Sequence, residues 1–477
     1  MAQSLAHLLV HSVFSTKERH PFLRSEEIRQ EIYAYMAGIL KNLECHPIKI
    51  GGVEDHVHIL SSLSKNIAFS EVIGRLKGSS SKRLKEKGLR GFAWQNGYGA
   101  FSVSESNVAA LTAYILWLVA KSVVPARPLV TYGVLVVALC LVTSMPWFVS
   151  YVMPDIFGPL LYLCIYLMVF DWDALSSGER AAVLLIGWWS AASHTTHVLI
   201  GAAVCVVVLV LFRVQHRSVQ QCARAVGRPA GVILAAIVAH LALHAYLYGK
   251  PSLTGEHAPF VMARLVADGP GRWYLSRHCA GSSLMICTDA DRLPDNVAKF
   301  LWAPEGIWRG ASLEKQARLR DEEMGVVLGT IRAYPGDVLR LSAKNVWRQL
   351  QSFGLWNYEA DPWILTMFDV VLPTERDKYL QTRQARRALH EGTFGGVEEN
   401  VVLISVLAGA ACSGALWRGW SSRLVGLATT IIVAVIGNAA VTGALSNVED
   451  RYQSRVIWLV PMLAGVLALV LWDRKRH

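Results

Sequence analysis

Two histidines one residue apart, His56 and His58, are the residues whose type and spacing most directly suggest chemistry in this 477-residue chain. They lie in Gly51-Gly52-Val53-Glu54-Asp55-His56-Val57-His58-Ile59-Leu60, a turn signal running into a short apolar strand. Successive strand side chains point to opposite faces, so both imidazoles share one face while Val57 and Ile59 pack on the other. Two imidazoles on a rigid strand are half a metal site. With 15 His in the chain, chance alone supplies about 0.5 such pairs, so the pair must be judged by its surroundings. Nearby, Arg75, Lys77, Lys82, Arg83, Lys85, Lys87 and Arg90 give one segment a strongly basic face with Ser79, Ser80 and Ser81 interleaved. Such a face is either a solvated helix end or a surface for phosphates.

The elements that must position these residues read as follows. His7 to Thr16 is a β-rich run, and Ser25 caps a helical pattern in which Ile28, Ile32, Tyr35, Met36, Ile39 and Leu40 recur at helical spacing. Ile48 to Val53 and His56 to Leu63 read as strands, Ala68 to Lys87 as a second helix, and Ala100 to Val103 as a last short strand. A β-α-β-β-α-β order implies an α+β, ferredoxin-like layout, an antiparallel sheet with helices on one face. Trp94, Tyr98 and Phe101 have faces on which bases could stack, and each suits a core position equally.

Three segments in order, Met1 to Lys17, Asp55-His56-Val57-His58 and Trp94 to Ser104, together resemble the small single-tyrosine HUH transposases of the insertion-sequence-200/605 family. The resemblance covers about residues 1–115. It implies single-stranded DNA with hairpin ends as substrate, Mg2+ or Mn2+ held by His56 and His58, the basic residues Arg75 to Lys87 on DNA phosphates, and a homodimer through this domain. The family's catalytic tyrosine lies on a helix after a similar lead-in, which makes Tyr114 the nucleophile candidate. Ser106 would cap that helix. An interfacial tyrosine beside a membrane segment is the alternative role for Tyr114. One turn later the family has a metal-binding glutamine, and this chain has Leu118. Strand cleavage is therefore expected to be impaired.

Beyond about Ala109 the chain changes character, and its long apolar runs account for the 53% hydrophobic content. Apolar spans are expected at about 129–147, 154–170, 181–193, 196–212, 230–248, 401–417, 424–444 and 455–472. Arg213, Arg217, Arg224 and Arg228 form one basic loop, Arg418 and Arg423 another, and Arg474 to Arg476 the tail, which places these in the cytoplasm. The expected arrangement is a multi-pass protein of the inner (cytoplasmic) membrane, in contact with lipid. Leu5 to Val10 is too short and too polar for a signal peptide, so the N-terminal domain is expected in the cytoplasm. The expected domains are 1–115, then spans in 116–250, an extracytoplasmic soluble insertion over 251–400, and spans with a basic tail in 401–477. The net charge of +11 suits both phosphate contact and cytoplasmic loops and decides between neither. Of 8 Cys, only Cys279 and Cys287 look pairable, in the segment expected outside the cytoplasm.

This second part resembles, in architecture alone, polytopic sugar transferases of the GT-C type that use polyprenyl-phosphate donors. The features are Ser144-Met145-Pro146-Trp147 leading to Met153-Pro154-Asp155, the large outer segment, and Asp450-Arg451-Tyr452-Gln453 before the last span. Asp155 either caps a helix or serves as the acidic residue of such enzymes. His194 and His197 are expected to make structural hydrogen bonds. The alternative to a working transposase is then a glycosyltransferase fragment carrying a fused transposase remnant, joined near Val108 to Leu116.

Overall fold

A computed structural model describes residues 8–64, 67–103, 105–150, 153–255, 257–355, 365, 376–416 and 420–475. The chain divides into two compact units, residues 1–108 with 360–388, and residues 109–359 with 389–477.

In the first unit, strand β1 (Leu8–Ser15), helix α1 (Glu26–Asn42), strands β2 (Pro47–Gly52) and β3 (His56–Leu63), helix α2 (Phe69–Glu86) and strand β4 (Gly99–Val103) follow one another. The antiparallel sheet has the order β2-β3-β1-β4, so the two central strands are the ones that carry the histidines. This is the β-α-β-β-α-β layout expected from the residue pattern. Helix α1 starts where the sequence says it should, because the Ser25 hydroxyl accepts from the Ile28 amide at 3.3 Å and Glu26 and Glu27 occupy the first turn. Its buried residues Ile32, Tyr33, Met36 and Leu40 and those of α2, Val72, Ile73, Leu76 and Leu84, fall at helical spacing. Together with Phe14, Val57 and Ile59 from the sheet they form one core. Both helices therefore cover the same sheet face, and the alternate residues His11, His56 and His58 lie on the other.

The hairpin between β2 and β3 is unusually constrained. A Cβ on Gly52 would lie 2.2 Å from the His56 carbonyl oxygen and 2.8 Å from the Val57 Cα, so the strands approach each other more closely than any side chain permits. The Val53 amide donates to the His56 carbonyl at 3.0 Å and closes the turn. Leu23 donates to the Glu54 carbonyl at 2.9 Å, and the amide and hydroxyl of fully buried Thr16 donate to the Asp55 carbonyl at 2.8 and 3.1 Å. The start of the histidine strand is thus held from three directions.

The second unit is helical, and among the described residues five helices are long and apolar enough to cross a membrane, at Thr195–Val214, Val219–Leu247, Gly392–Ala415, Ser422–Leu445 and Asp450–Arg474. Eight spans were expected, and the differences have local causes. The run 129–147 is broken, with a helix Pro128–Val142 and a short one at Met145–Ser150. Pro146 has no amide hydrogen, and its ring would clash with the carbonyl of Val142, four residues back, which is where the first helix ends. At 1.5 Å per residue, the 15-residue helix is about 22 Å long and falls short of a ~30 Å hydrocarbon core. The helix of 154–170 is also short, and that at Ser177–Ala192 has 16 residues. The basic loop of Arg213 to Arg228 shrinks as well. Ser218 and Gln221 form a capping box that starts the next helix at Val219, so Arg224 and Arg228 are helical, and the helix runs on through Pro229. Of the two other basic groups, Arg423 is helical, and Arg418 and Arg476 lie outside the described residues.

Residues 258–338 have their own core, including Met262, Val266, Leu275, Phe300, Leu301, Leu319 and Val326. Within it the Glu323 carboxylate accepts from the amides of Val261 and Met262 at 2.9 and 3.2 Å, serving the free start of the helix Phe260–Asp268. Cys279 and Cys287 are bonded, with a Cα separation of 5.3 Å. His194 caps its helix by accepting from the Thr196 amide, and His197 Nδ1 bonds the Ser190 carbonyl at 2.9 Å, which are the structural roles expected of them.

Replacing Gly52 with Ala forces the hairpin apart and is expected to cost about 1–3 kcal/mol. Hydrogen exchange of the full-length chain in detergent checks this. The amides of Val57 and Ile59 should exchange faster in the variant while those of the helix Ser422–Leu445 do not change.

Candidate metal and nucleic-acid site

The paired histidines occupy the open sheet face as the alternation requires, with ring centroids 5.0 Å apart. Each ring is engaged at Nδ1. His56 Nδ1 lies 2.6 Å from Asp55 Oδ1, and because a carboxylate only accepts, this nitrogen carries the hydrogen. His58 Nδ1 lies 3.1 Å from His11 Nε2, and these two rings meet edge to edge, nearly coplanar, with centroids 5.3 Å apart. In His56 this leaves Nε2 as the ligating atom, the arrangement in which an outer partner orients a metal-binding imidazole, and in His58 the same holds when Nδ1 donates to His11. Burial, then the neighbouring His56 and His11, lower the His58 pKa, and burial lowers that of His11. His58 is therefore neutral near pH 7, the form that can ligate. These donors fit a divalent cation. Among the described residues no group of three His, Cys, Asp or Glu side chains could hold one.

His11 carries no distinguishing signal in the sequence. It stands 45 positions before His56 and reaches the pair only because Val13 opposes His58 and Ser15 opposes His56 in the β1–β3 register. His11 is thus the diagonal neighbour of His58 on the same face. The alternation of His11, Val13 and Ser15 is the one pattern that could have pointed to it, and that pattern becomes informative only once the register is known.

The basic face of α2 separates into different roles. Lys77 is structural, since its Nζ donates to the Gln95 carbonyl at 2.8 Å and to the Gly97 carbonyl, 5.0 Å from the centre of the Phe14 ring. Burial lowers its pKa. Arg75 pairs with Glu71 at 2.6 Å, and Arg83 and Lys87 both pair with Glu31 at 2.9 Å. Among the described residues, Lys82 and Lys85 have no ion-pair partner. Ser80 is buried, donating to the Leu76 carbonyl at 2.6 Å and accepting from Trp94 Nε1 at 2.8 Å. Trp94 packs edge-on against Phe14 and Phe92, a core residue whose face is not offered to a base. Tyr98 is 42% exposed and does offer one, and the Phe101 side chain lies outside the described residues.

Tyr114 and Leu118 lie on helix α3 (Glu105–Val123). Ser106, expected to cap this helix, is its second residue, and its side chain lies outside the described residues. From Ala109 onward α3 belongs to the helical unit. Its end is tied there by Lys121 to Glu179 at 2.8 Å, by Ser122 to the Tyr166 hydroxyl at 2.7 Å, and by Arg423 donating to the Ser122 carbonyl at 3.3 Å. Leu118, Val119 and Ala120 are fully buried, and Tyr114 is half-buried.

The chain thus joins a small βαββαβ domain bearing paired strand histidines to a helical region with membrane-length helices. Residues 4–116 match the family described as "Transposase IS200 like". The ISDra2 transposase TnpA of Deinococcus radiodurans is 30% identical over 112 residues, 22% of this chain and 79% of that protein. Through this domain the chain belongs to the IS200-like transposases. The crystal structure of a candidate transposase from Deinococcus radiodurans aligns with 22% identity over 24% of this chain and 95% of that one, at a TM-score of 0.20.

Because Lys77 bridges two carbonyls, Lys77→Met should cost about 1–2 kcal/mol locally. Lys82→Met and Lys85→Met should change stability by no more than about 0.5 kcal/mol. Amide exchange across Gln95 to Gly97 distinguishes the two classes, rising only for Lys77→Met.

Proposed function

We propose that the N-terminal domain binds single-stranded DNA with hairpin ends and transposes it by cutting and rejoining through a 5′-phosphotyrosine link, and that this chain does so weakly. The observation that carries the reading is the pairing of His56 Nδ1 with Asp55 and of His58 Nδ1 with His11, which sets two strand imidazoles on one sheet face, each engaged at Nδ1. His56 and His58 would hold Mg2+ or Mn2+, whose charge polarises the scissile phosphate and stabilises the charge that develops on it. Tyr114 is the nucleophile. Its oxygen bonds to phosphorus and its proton leaves to solvent, while the bond from phosphorus to the 3′ oxygen breaks and that oxygen takes up a proton. Lys82 and Lys85 meet DNA phosphates directly, whereas Arg75, Arg83 and Lys87 do so by exchanging their carboxylate partners.

Weak activity follows from Leu118. An apolar residue stands where the resembling enzymes place a glutamine ligand, and it is enclosed in packing that a polar side chain would disturb. A second reading, suggested by the apolar helices of the second unit, is that the transposase domain is a remnant fused to a polyprenyl-phosphate-sugar-dependent glycosyltransferase fragment. In either reading we place the chain in the inner membrane, surrounded by lipid, with the DNA-binding domain in the cytoplasm and the disulfide-bearing segment outside. A homodimer through the N-terminal domain completes the proposal.

The test is incubation of the full-length chain in detergent with hairpin-bearing single-stranded DNA and Mn2+, followed by a search for a covalent adduct. A faint adduct is expected, absent in Tyr114→Phe and in His56→Ala, with DNA binding retained in both. Lys82→Ala with Lys85→Ala should lower the slope of log affinity against log salt by about 1.4, near 0.7 for each phosphate that is no longer neutralised. Leu118→Gln should bring no gain. An adduct of equal yield in His56→Ala, or no binding of single-stranded DNA, would overturn the proposal.

A further inference from the structure

The contact between His11 and His58 is asymmetric in its consequences. If His11 Nε2 donates, the neutral His58 keeps its own hydrogen on Nε2 and has no lone pair there. If His58 Nδ1 donates, the Nε2 lone pair of His58 is free, matching what Asp55 imposes on His56 at 2.6 Å. The two rings are nearly coplanar, at an interplanar angle of 17° with centroids 5.3 Å apart, so the 3.1 Å contact runs edge to edge along the direction a ring N–H donates. Both partners sit on central strands fixed by eight consecutive residue pairs from Leu8 opposite Leu63 to Ser15 opposite His56. His11 is therefore a built part of the histidine face.

We propose that His11 is a positioning residue which accepts the Nδ1 hydrogen of His58 and so holds His58 in the tautomer whose Nε2 can bind a divalent cation. Asp55 does the same for His56, and the two strand histidines are oriented by unlike partners, a carboxylate on one side and an imidazole on the other. The role deepens the metal-dependent reading above and rests on it for its purpose, though the tautomer itself can be observed without any metal.

The test uses the full-length chain in detergent with 15N-labelled histidine, at pH 8, above the reference imidazole pKa of about 6.5. In the wild type, His58 should show a protonated Nδ1 and an unprotonated Nε2. His11→Leu should move the hydrogen of His58 to Nε2 in a large share of molecules, and His11→Gln, whose side-chain oxygen can accept, should restore the original form. Mn2+ binding followed by electron paramagnetic resonance should weaken 10- to 100-fold in His11→Leu and recover in His11→Gln. A His58 tautomer unchanged by His11→Leu overturns the proposal. If the tautomer responds as stated but wild type and His56→Ala bind Mn2+ equally poorly, the positioning role stands and the metal-dependent reading is the one that fails. Amide exchange of Val57 and Ile59, unchanged in His11→Leu, separates positioning from a general loss of strand structure.

Discussion

The register of β1 against β3 is the constraint on which the candidate site depends. Side chains alternate with a period of two, so a slip of one residue would carry His11 to the core face and bring Ser12 or Val10 beside His58. The register is fixed at the end of the pair where Ser15 opposes His56. There Phe14 and Val57 must enter the core, and Thr16, fully buried, must reach the Asp55 carbonyl. Gly52 permits the close approach that lets the chain turn directly from β2 into the histidine strand. The imidazoles are consequently placed by backbone hydrogen bonds and by apolar packing on the opposite face.

Helix α2 illustrates how architecture and charge compete for the same residues. Along the sequence it is a row of cations. In three dimensions, Ser80 joins Trp94 to the helix backbone, and Lys77 closes the loop before β4, so two of its polar residues are committed to packing. Exposed pairs such as Arg75 with Glu71 contribute about 0–1 kcal/mol and are readily exchanged. What remains as fixed, unpaired positive charge is much smaller than the number of Lys and Arg suggests. The proposed DNA surface is therefore best defined by Lys82 and Lys85, with Tyr98 as an exposed ring nearby in the chain.

The elements of the first unit were legible because their signals are local. Ser25 is a cap, β3 alternates over His56 to Leu63 as read, and the second helix was expected within a residue of its observed ends. The helical unit was less legible. An apolar run does not say where a helix stops, and the break after Val142 and the early start at Val219 were decided by Pro146 and by the Ser218–Gln221 capping box. Long-range partners were the hardest to foresee. Asp155, thought of as a cap or an acidic catalyst, is buried against Arg455 at 3.0 Å, and Asn438 holds the same guanidinium at 2.8 and 3.1 Å. Three hundred residues separate that pair, and no periodicity encodes it.

Helix α3 is where the two parts of the chain make incompatible demands on one element. A tyrosine nucleophile needs a helix that can present its hydroxyl to a phosphate near the histidine face, with polar residues one turn on. Membrane-type packing instead favours a helix whose successive residues are apolar and enclosed, as Leu116, Leu118, Val119 and Ala120 are. The ties from Lys121 to Glu179 and from Ser122 to Tyr166 fix the end of α3 to the helical unit, and each would have to be broken for the helix to move as a body. Tyr114 lies about two turns before these ties. Its position is therefore governed by the packing of the helical unit to which the end of α3 is tied.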